Sequence, residues 1–395
     1  MLAVLVPALL RWQGDVFDVS AGSTHYTLFA TAVASTAGYL ILCRLATFPG
    51  VQTAAYPIPV FTAVYGLTAS AFLFFRIDYS RYQLLSSFAA SVVWYSVALV
   101  TARRAARPKL ALLPIGRTID LIGSGRVDYV VLTSHEAIPI GCEAVVADLR
   151  ADLPAVWETF LARCALSGVP VYHTKQVVES LTGRIQVEHL SENNLGSLIP
   201  SSLYVHLKRA LDIVGVFAAV PLLAPFLAIV AGLIKLDSPG PVFFKQPRMG
   251  YRGKPFTVLK FRTMQARAED DQHFTKGSDQ RITRLGRILR KYRIDELPQM
   301  WNILRGEMSW IGPRPEALPL SAWYEREIAF YCYRHIVRPG ITGWAQVNQG
   351  YAAGIKDVSE KLKYDFYYIK NFSFWLDALV LMQTVRTILN GSGAR

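Results

Sequence analysis

Paired metal-binding cysteines are missing from this sequence. Its four cysteines, Cys43, Cys142, Cys164 and Cys332, form no CxxC pair, and no histidine is spaced with them as a zinc site requires. Reduced, structural thiols are the expectation. Charge is also sparse, with 18% of residues charged and 52% hydrophobic, whereas soluble domains carry about 25% charged residues. The shortfall argues for a membrane contribution. Acidic residues are the scarcer sign, leaving a net charge of +13. The excess is concentrated: from Lys235 to Arg314, 17 Lys and Arg stand against 8 Asp and Glu. Nucleic acid, an anionic bilayer or a phosphorylated small molecule are the partners such a field attracts. Aromatic residues are not interleaved with the cations as a base-stacking platform, which speaks against nucleic acid. A cleavable signal peptide is not expected, because the apolar start from Met1 to Leu10 has no basic opening and no small-residue cleavage pattern.

What is present first is long apolar runs. Three occur in succession, about Leu28 to Ala46, Pro57 to Phe75 and Leu84 to Ala102, each close to the ~20 residues that cross a bilayer. Asp15 and Asp18 precede the first, and Arg103, Arg104 and Arg107 follow the third. Positive-inside reasoning therefore places the start outside and everything after Arg103 in the cytoplasm, although Arg76 and Arg81 in a connecting loop fit this less well. From about Lys109 to Pro200 the pattern changes to short buried strands, "VDYVVLTS", "CEAVVADL" and "VPVYHT", with the amphipathic "LPAVWETFLARCALSG" ending at Gly168. That is a βαβ pattern. "IGSGRVD" holds a G-x-G without the rest of a dinucleotide fingerprint, so a plain turn is expected there.

A further uncharged run, "IVGVFAAVPLLAPFLAIVAGLI", has the length of a span but carries Pro221 and Pro225 in its middle, where each removes a backbone hydrogen bond and kinks a helix. Lys208 and Arg209 precede it and Lys235 and Lys245 follow. Basic flanks at both ends suit a broken helix that enters and leaves on one face, with a kinked span as the alternative. The C-terminal "FSFWLDALVLMQTVRTIL" suits either an interfacial helix or a core helix.

The polar remainder carries the chemistry. "FTVLKF" alternates like a strand, so Lys260 and Arg262 are expected to share a face. In "GPRP" two prolines restrict the backbone around Arg314, and a rigidly held guanidinium suits phosphate. "RHIVRPGITGWAQV" repeats the device with Arg338 before Pro339 and with Gly343 as a second flexible point. "RIDELPQMWNIL" sets Asp295 beside Glu296. Adjacent residues do not face the same way on a helix, so the two can differ in role. One reading makes Asp295 an N-cap and Glu296 the partner of Arg293. The other notes that a basic field lowers a carboxylate pKa, keeping Asp295 ionised as a nucleophile towards phosphorus with Glu296 beside a metal.

Taken in order, "KRALDI" before a proline-interrupted apolar helix, "KFRTM", "RIDELPQMWNILRGEMSWIGPRP", "VRPGITGWAQVN" and "DFYYIKNFSFWLD" resemble the bacterial polyprenyl-phosphate sugar phosphotransferases, from about Ser202 to the end. The resemblance implies transfer of hexose-1-phosphate from a UDP-hexose to undecaprenyl phosphate at the cytoplasmic membrane face, with Mg²⁺ and release of UMP, beginning exopolysaccharide or other surface-glycan assembly. It implies Asp295 as nucleophile, Glu296 as Mg²⁺ ligand, and Lys260, Arg262, Arg314 and Arg338 as phosphate contacts. It also implies a re-entrant helix broken at a Ser-Pro pair, which here is Ala224-Pro225, without the hydroxyl. One-step transfer with Asp295 only holding metal, and a non-catalytic regulator of polysaccharide assembly, are the rival readings. Larger relatives carry more than three spans and suggest a homodimer. The expected fold class is a membrane α+β protein: transmembrane helices over 1–107, a small Rossmann-like α/β domain over 108–200, and a mostly helical catalytic domain over 201–395 with a re-entrant helix at about 208–235.

Overall fold

A computed structural model of the chain describes residues 2–12, 22–46, 56–105, 109–116, 118, 127–135, 141–185, 200, 202–265, 281–349 and 354–389. "IGSG", Asp15, Asp18 and Arg107 lie outside them. Two compact units divide the chain, Met1–Gly183 and Arg184–Arg395. The division falls ahead of the boundary expected at 200, because Ile185 N donates to Lys363 O and Arg184 pairs with Glu360, both within the second unit.

The first unit opens with α1 (Leu2–Trp12), α2 (Gly22–Ala46), α3 (Pro57–Phe74) and α4 (Arg81–Ala105). The last three are the expected apolar runs, and each is long and apolar enough to cross a membrane. Their interior mixes apolar side chains such as Leu45 and Phe61 with polar ones, and their outside is largely apolar. Thr31, Ser35, Gln83, Ser87 and Ser91 are buried, while Phe29, Leu67, Phe74 and Leu85 are exposed. Inside, Tyr65 OH meets Ser87 Oγ and Ser91 Oγ, each at 3.1 Å, and Gln83 Nε2 donates to Val4 O at 3.0 Å. Polar groups tying helices together from within, with apolar side chains outside, are what hydrocarbon surroundings select. This is a membrane protein.

The same unit continues with β1 (Lys109–Leu112), β2 (Asp128–Val131), β3 (Ala144–Ala147), α5 (Ala155–Leu166), β4 (Val171–His173) and α6 (Thr174–Thr182). All strand pairs are parallel, in the order β2-β1-β3-β4. Strand β3, central and wholly buried, is the uninterrupted apolar "AVVA", as a strand covered on both faces should be. Gly168 ends the α5 turn at φ +79°, a left-handed position that glycine tolerates.

The second unit is built on α7 (Ser202–Asp237). The helix runs without interruption through Pro221 and Pro225, so the expected break at Pro225 is not a break in secondary structure. A proline removes one backbone bond, and here the turns on either side stay packed: Leu223 and Leu227 join one cluster with Val216, Met300 and Ile303. Val230 and Ile234 extend the same stripe onto Phe261 and Leu289. The opposite stripe, Leu203, Leu207, Val214, Phe217, Leu222, Ile229 and Leu236, is exposed. Both ends of α7 are fixed to this unit. At the start, Lys208 Nζ reaches Asp377 Oδ2 at 2.6 Å and Asp212 Oδ1 accepts from Ser309 Oγ at 3.0 Å. At the end, Ile234 O and Ser238 O accept from Arg262.

After α7 come the antiparallel hairpin β5 (Phe243–Met249) and β6 (Pro255–Phe261), then α8 (Arg284–Lys291), α9 (Met300–Leu304), β7 (Ser309–Ile311), α10 (Leu318–Glu327), β8 (Gly340–Thr342), α11 (Trp344–Asn348), α12 (Ile355–Lys370) and α13 (Phe374–Leu389), of which β6, α8, α9 and β7 pack on α7. Strands β7 and β8 pair in parallel. Gly312 and Gly340 make this ladder feasible: a Cβ on Gly340 would lie 2.1 Å from Gly312 N, and one on Gly312 would lie 2.3 Å from Arg338 O. Gly343, expected as a flexible point, is extended at φ −163° and close-packed instead, a Cβ there meeting Gly312 O at 2.2 Å. Helix α13 is a core helix on one face, with Leu376, Leu379 and Val380 fully buried.

Candidate active site

The two carboxylates are placed by an abrupt reversal. Thr283 Oγ1 caps α8 by accepting from Gly286 N at 2.9 Å, and α8 ends at Lys291. Arg293 then adopts φ +56°, left-handed for a residue with a side chain, at a cost of about 1–3 kcal/mol. A 3₁₀ turn, Ile294–Gln299, follows and leads into α9. Asp295 lies inside that turn and is no N-cap, since no side chain caps it. The left-handed Arg293 occupies the capping position.

Glu296 is buried and surrounded by cations. Its Oε1 accepts from Lys260 Nζ at 2.9 Å and from Arg314 Nη2 at 2.8 Å. Its Oε2 accepts from Arg293 Nε at 3.1 Å, with Arg293 Nη2 at 2.9 Å. Burial alone would push this carboxyl up, but Arg314, Lys260 and Arg293 hold it well below its usual range. Asp295 is different. It is half-buried, and among the described residues no group donates a hydrogen bond to its carboxylate. Burial and the charge of Glu296 raise its pKa to about 6, against the pull of Lys260, Arg314 and Arg290. The basic field was expected to keep Asp295 low; instead the nearest cations are bound to Glu296. Burial also lowers Lys260 to about 8.

Arg314 is held as rigidly as its prolines suggest, with help the sequence did not reveal. Its carbonyl accepts from Arg334 Nη2 at 2.9 Å, and Arg334 is pinned by Asp365 at 2.9 Å. Pro315 O accepts from Arg248 Nη1, whose Nη2 also holds Gln246 at 2.8 Å. Glu316 binds Lys361 at 2.5 Å and sits near pH 2, because Lys361 and Arg334 outweigh its burial. Asn302 straps the outer edge of β6, accepting from Leu259 N at 3.1 Å and donating to Thr257 O at 2.7 Å. That strap sets Lys260 over the carboxylates. Asp365 was inside a quoted motif, but nothing about its spacing pointed to Arg334.

Two expected phosphate contacts lie elsewhere. Arg262 is one residue past β6 and 7% exposed. Its guanidinium donates to Pro239 O at 3.0 Å, Ser238 O at 2.6 Å, Ser238 Oγ at 3.0 Å and Ile234 O at 3.3 Å. A cation gathering carbonyls at a helix C-terminus is favoured by the helix dipole. Arg262 thus closes α7 and does not share a working face with Lys260. Arg338 donates from Nε to Gly306 O at 3.0 Å and lies 4.8 Å from the Tyr251 ring, with no ion pair to Asp295 or Glu296.

The expected Mg²⁺ can be tested on the donor set. Both oxygens of Glu296 are engaged by Lys260, Arg314 and Arg293, so a Mg²⁺ held by Glu296 would have to displace one of these cations.

Comparison with known proteins accounts for the arrangement. Residues 203–391 match the family described as bacterial sugar transferase. Over the whole chain, the sequence is 47% identical to the UDP-N-acetylgalactosamine-undecaprenyl-phosphate N-acetylgalactosaminephosphotransferase of Aeromonas hydrophila, covering 94% of that protein. The chain belongs to the bacterial polyprenyl-phosphate sugar phosphotransferases. It is a transferase. The catalytic half of this sugar transferase is also 43% identical over 191 residues to the UDP-glucose:undecaprenyl-phosphate glucose-1-phosphate transferase of Caulobacter vibrioides, covering 47% of this chain and 71% of that one. The enzyme of the same description from Escherichia coli is 43% identical over 183 residues, which are 45% of this chain and 39% of its own. The similarity thus spans every element that surrounds Asp295 and Glu296.

Proposed function

We propose that this sugar transferase moves a sugar-1-phosphate from a UDP-sugar to undecaprenyl phosphate at the cytoplasmic face of the inner membrane, by way of a phosphosugar carried on Asp295. The observation that supports it is the contrast between neighbours: Glu296 is saturated by three cations, whereas the Asp295 carboxylate beside it accepts no hydrogen bond from the described residues. An ionised carboxylate with its lone pairs available is a nucleophile. One Asp295 oxygen attacks the sugar-linked phosphorus of the donor. The bond from that phosphorus to the bridging oxygen breaks, and UMP leaves with the electron pair. An oxygen of the lipid phosphate then attacks the same phosphorus, the bond to Asp295 breaks, and the carboxylate is restored. Lys260 and Arg314, already oriented by Glu296, stabilise the charge that builds on the phosphoryl oxygens.

The test uses donor labelled in the sugar-linked phosphate, without lipid. Label should remain on the protein at one equivalent, be released by hydroxylamine, and be absent from Asp295→Asn. Turnover by Asp295→Asn at the wild-type rate, or initial-rate lines that intersect instead of running parallel, would favour one-step transfer. The relative that aligns over the full length acts, by its name, on UDP-N-acetylgalactosamine, so that donor heads a UMP-release panel of UDP-sugars. The re-entrant course of α7 is supported by the attachment of both its ends to one unit. Single cysteines at Ser202 and Ser238 should then label from the same side of sealed vesicles. Native mass spectrometry from nanodiscs tests the expected homodimer.

A further inference from the structure

Strand β5 begins with two adjacent phenylalanines, Phe243 and Phe244, 44% and 49% exposed. Neighbours along a strand point to opposite faces, so the two rings have different surroundings. Phe243 pairs with Phe261 across the hairpin and stacks on it, the ring centroids 5.5 Å apart. Phe244 pairs with Lys260. Directly opposite residues share a face, with Cβ atoms about 4.5–5.5 Å apart, and Lys260 Nζ lies 2.9 Å from Glu296 Oε1. A half-exposed aromatic ring therefore stands on the carboxylate face of the hairpin, beside a cation of the candidate active site. The far end of that face is closed. Arg248 donates to Pro315 O, Met249 N donates to Glu316 O at 2.9 Å, and Gln246 Oε1 accepts from Arg248 Nη2 at 2.8 Å. The end at Phe244 is the one joined to α7. Val242 O accepts from Arg262 N at 2.9 Å, and Arg262 also holds Ser238 O beyond the last turn of that helix. That last part of α7 exposes Leu233 and Leu236, and the helix is long and apolar enough to cross a membrane.

We propose that Phe244 binds the lipid acceptor, its ring forming the surface on which the first isoprene units lie while the phosphate they carry reaches Lys260 and Asp295. A prenyl phosphate is an anion joined through a single ester oxygen to branched hydrocarbon. Lys260 and Phe244, side by side on one strand pair, present the matching sequence of a cation and then an apolar ring. The cation attracts the phosphate, and laying hydrocarbon over the ring removes apolar surface from water. The rest of the chain leaves past Phe244 towards the exposed apolar end of α7, since the contacts of Arg248 and Met249 close the other way out. A nucleobase is the competing partner for an exposed ring. The polar groups that would hold its edge are scarce here: Gln246, two residues along the same face, already has its carbonyl oxygen bound by Arg248. The assignment rests on the phosphotransferase reading and adds to it a residue for the acceptor, separate from the donor.

The test uses the full-length protein in nanodiscs. For Phe244→Ala, the KM for undecaprenyl phosphate and the KM for UDP-sugar are measured separately, and calorimetry gives the Kd of farnesyl phosphate and of inorganic phosphate. Covering the exposed half of a phenyl ring is worth about tenfold in a binding constant. The undecaprenyl phosphate KM and the farnesyl phosphate Kd should each rise by that factor, while the UDP-sugar KM and the inorganic phosphate Kd stay within about twofold. Phe244→Leu, which remains apolar, should recover most of the loss. Phe243→Ala, on the opposite face, should lower Tm and leave the acceptor constants unchanged. Acceptor constants equal to wild type in Phe244→Ala, a fall in kcat alone, or a rise in the UDP-sugar KM would overturn the proposal, the last by assigning the ring to the nucleobase. Phe244→Gln, which keeps bulk but makes it polar, decides by the same constants if Phe244→Ala does not fold. If wild-type protein releases no UMP from any UDP-sugar, the phosphotransferase reading itself fails. Phe244 is then judged by farnesyl phosphate binding alone: a weakening in Phe244→Ala without a change for inorganic phosphate upholds the prenyl contact, and an unchanged Kd overturns it.

Discussion

Arg314 Nη2 lies 2.8 Å from Glu296 Oε1, so the arginine locked between two prolines is aimed at Glu296. Arg314→Lys keeps the charge but loses the planar fork. Lys260 and Arg293 still compensate Glu296, so the fold should survive. A charge-assisted hydrogen bond is worth about 1.5–3 kcal/mol, so kcat/KM should fall by about ten- to a hundredfold in a UMP-release assay.

Glu296→Gln leaves Lys260, Arg293 and Arg314 around a buried site with no anion. Breaking a buried ion pair from one side costs about 3–5 kcal/mol. Thermal unfolding of the detergent-solubilised variant should shift downward accordingly. A Tm equal to wild type would show that Glu296 does not organise these cations.

The pH profile has two expected limbs. In the proposed mechanism Asp295 attacks as the carboxylate, and its pKa is raised to about 6 by burial and by Glu296. The charge on Lys260 is needed, and burial lowers its pKa to about 8. Activity should therefore fall below about pH 6 as Asp295 gains a proton and above about pH 8 as Lys260 loses one, giving a bell in kcat/KM. An acid limb near pH 4 would mean that Asp295 is not held up by its surroundings.

Lys260 and Arg262 should separate under mutation despite lying two apart. Lys260→Met removes a cation that touches Glu296 and should lower kcat/KM at least tenfold. Arg262→Met removes four hydrogen bonds from the end of α7 and should lower Tm while leaving the KM for UDP-sugar within twofold. A raised donor KM with unchanged Tm in Arg262→Met would restore the phosphate role.

Much of the site was legible because its parts are local. The "DE" pair, the prolines around Arg314 and the apolar length of α7 are features of neighbouring residues, and each marks a place where the chain has few alternatives. The partners of Glu296 were only partly visible. Arg293 is three residues away and was identified; Lys260 and Arg314 come from β6 and from the run after β7. The roles of Arg334 and Asp365 were invisible, since a buried ion pair 31 residues apart leaves no periodic trace.

By itself the sequence determined the three apolar runs, the α/β segment and the adjacency of the two candidate carboxylates, Asp295 and Glu296. Hydrophobic length, strand composition and turn chemistry act over a few residues and need no tertiary context. Only the tertiary structure decided which carboxylate is neutralised and which remains available, that Arg262 closes a helix, and that Arg338 binds Gly306 O instead of either carboxylate. Those outcomes depend on distances between distant segments. A cation two residues along a strand can point to a helix end, to a carboxylate or to solvent, and the packing of α7, β6 and the β7–β8 ladder selects among them.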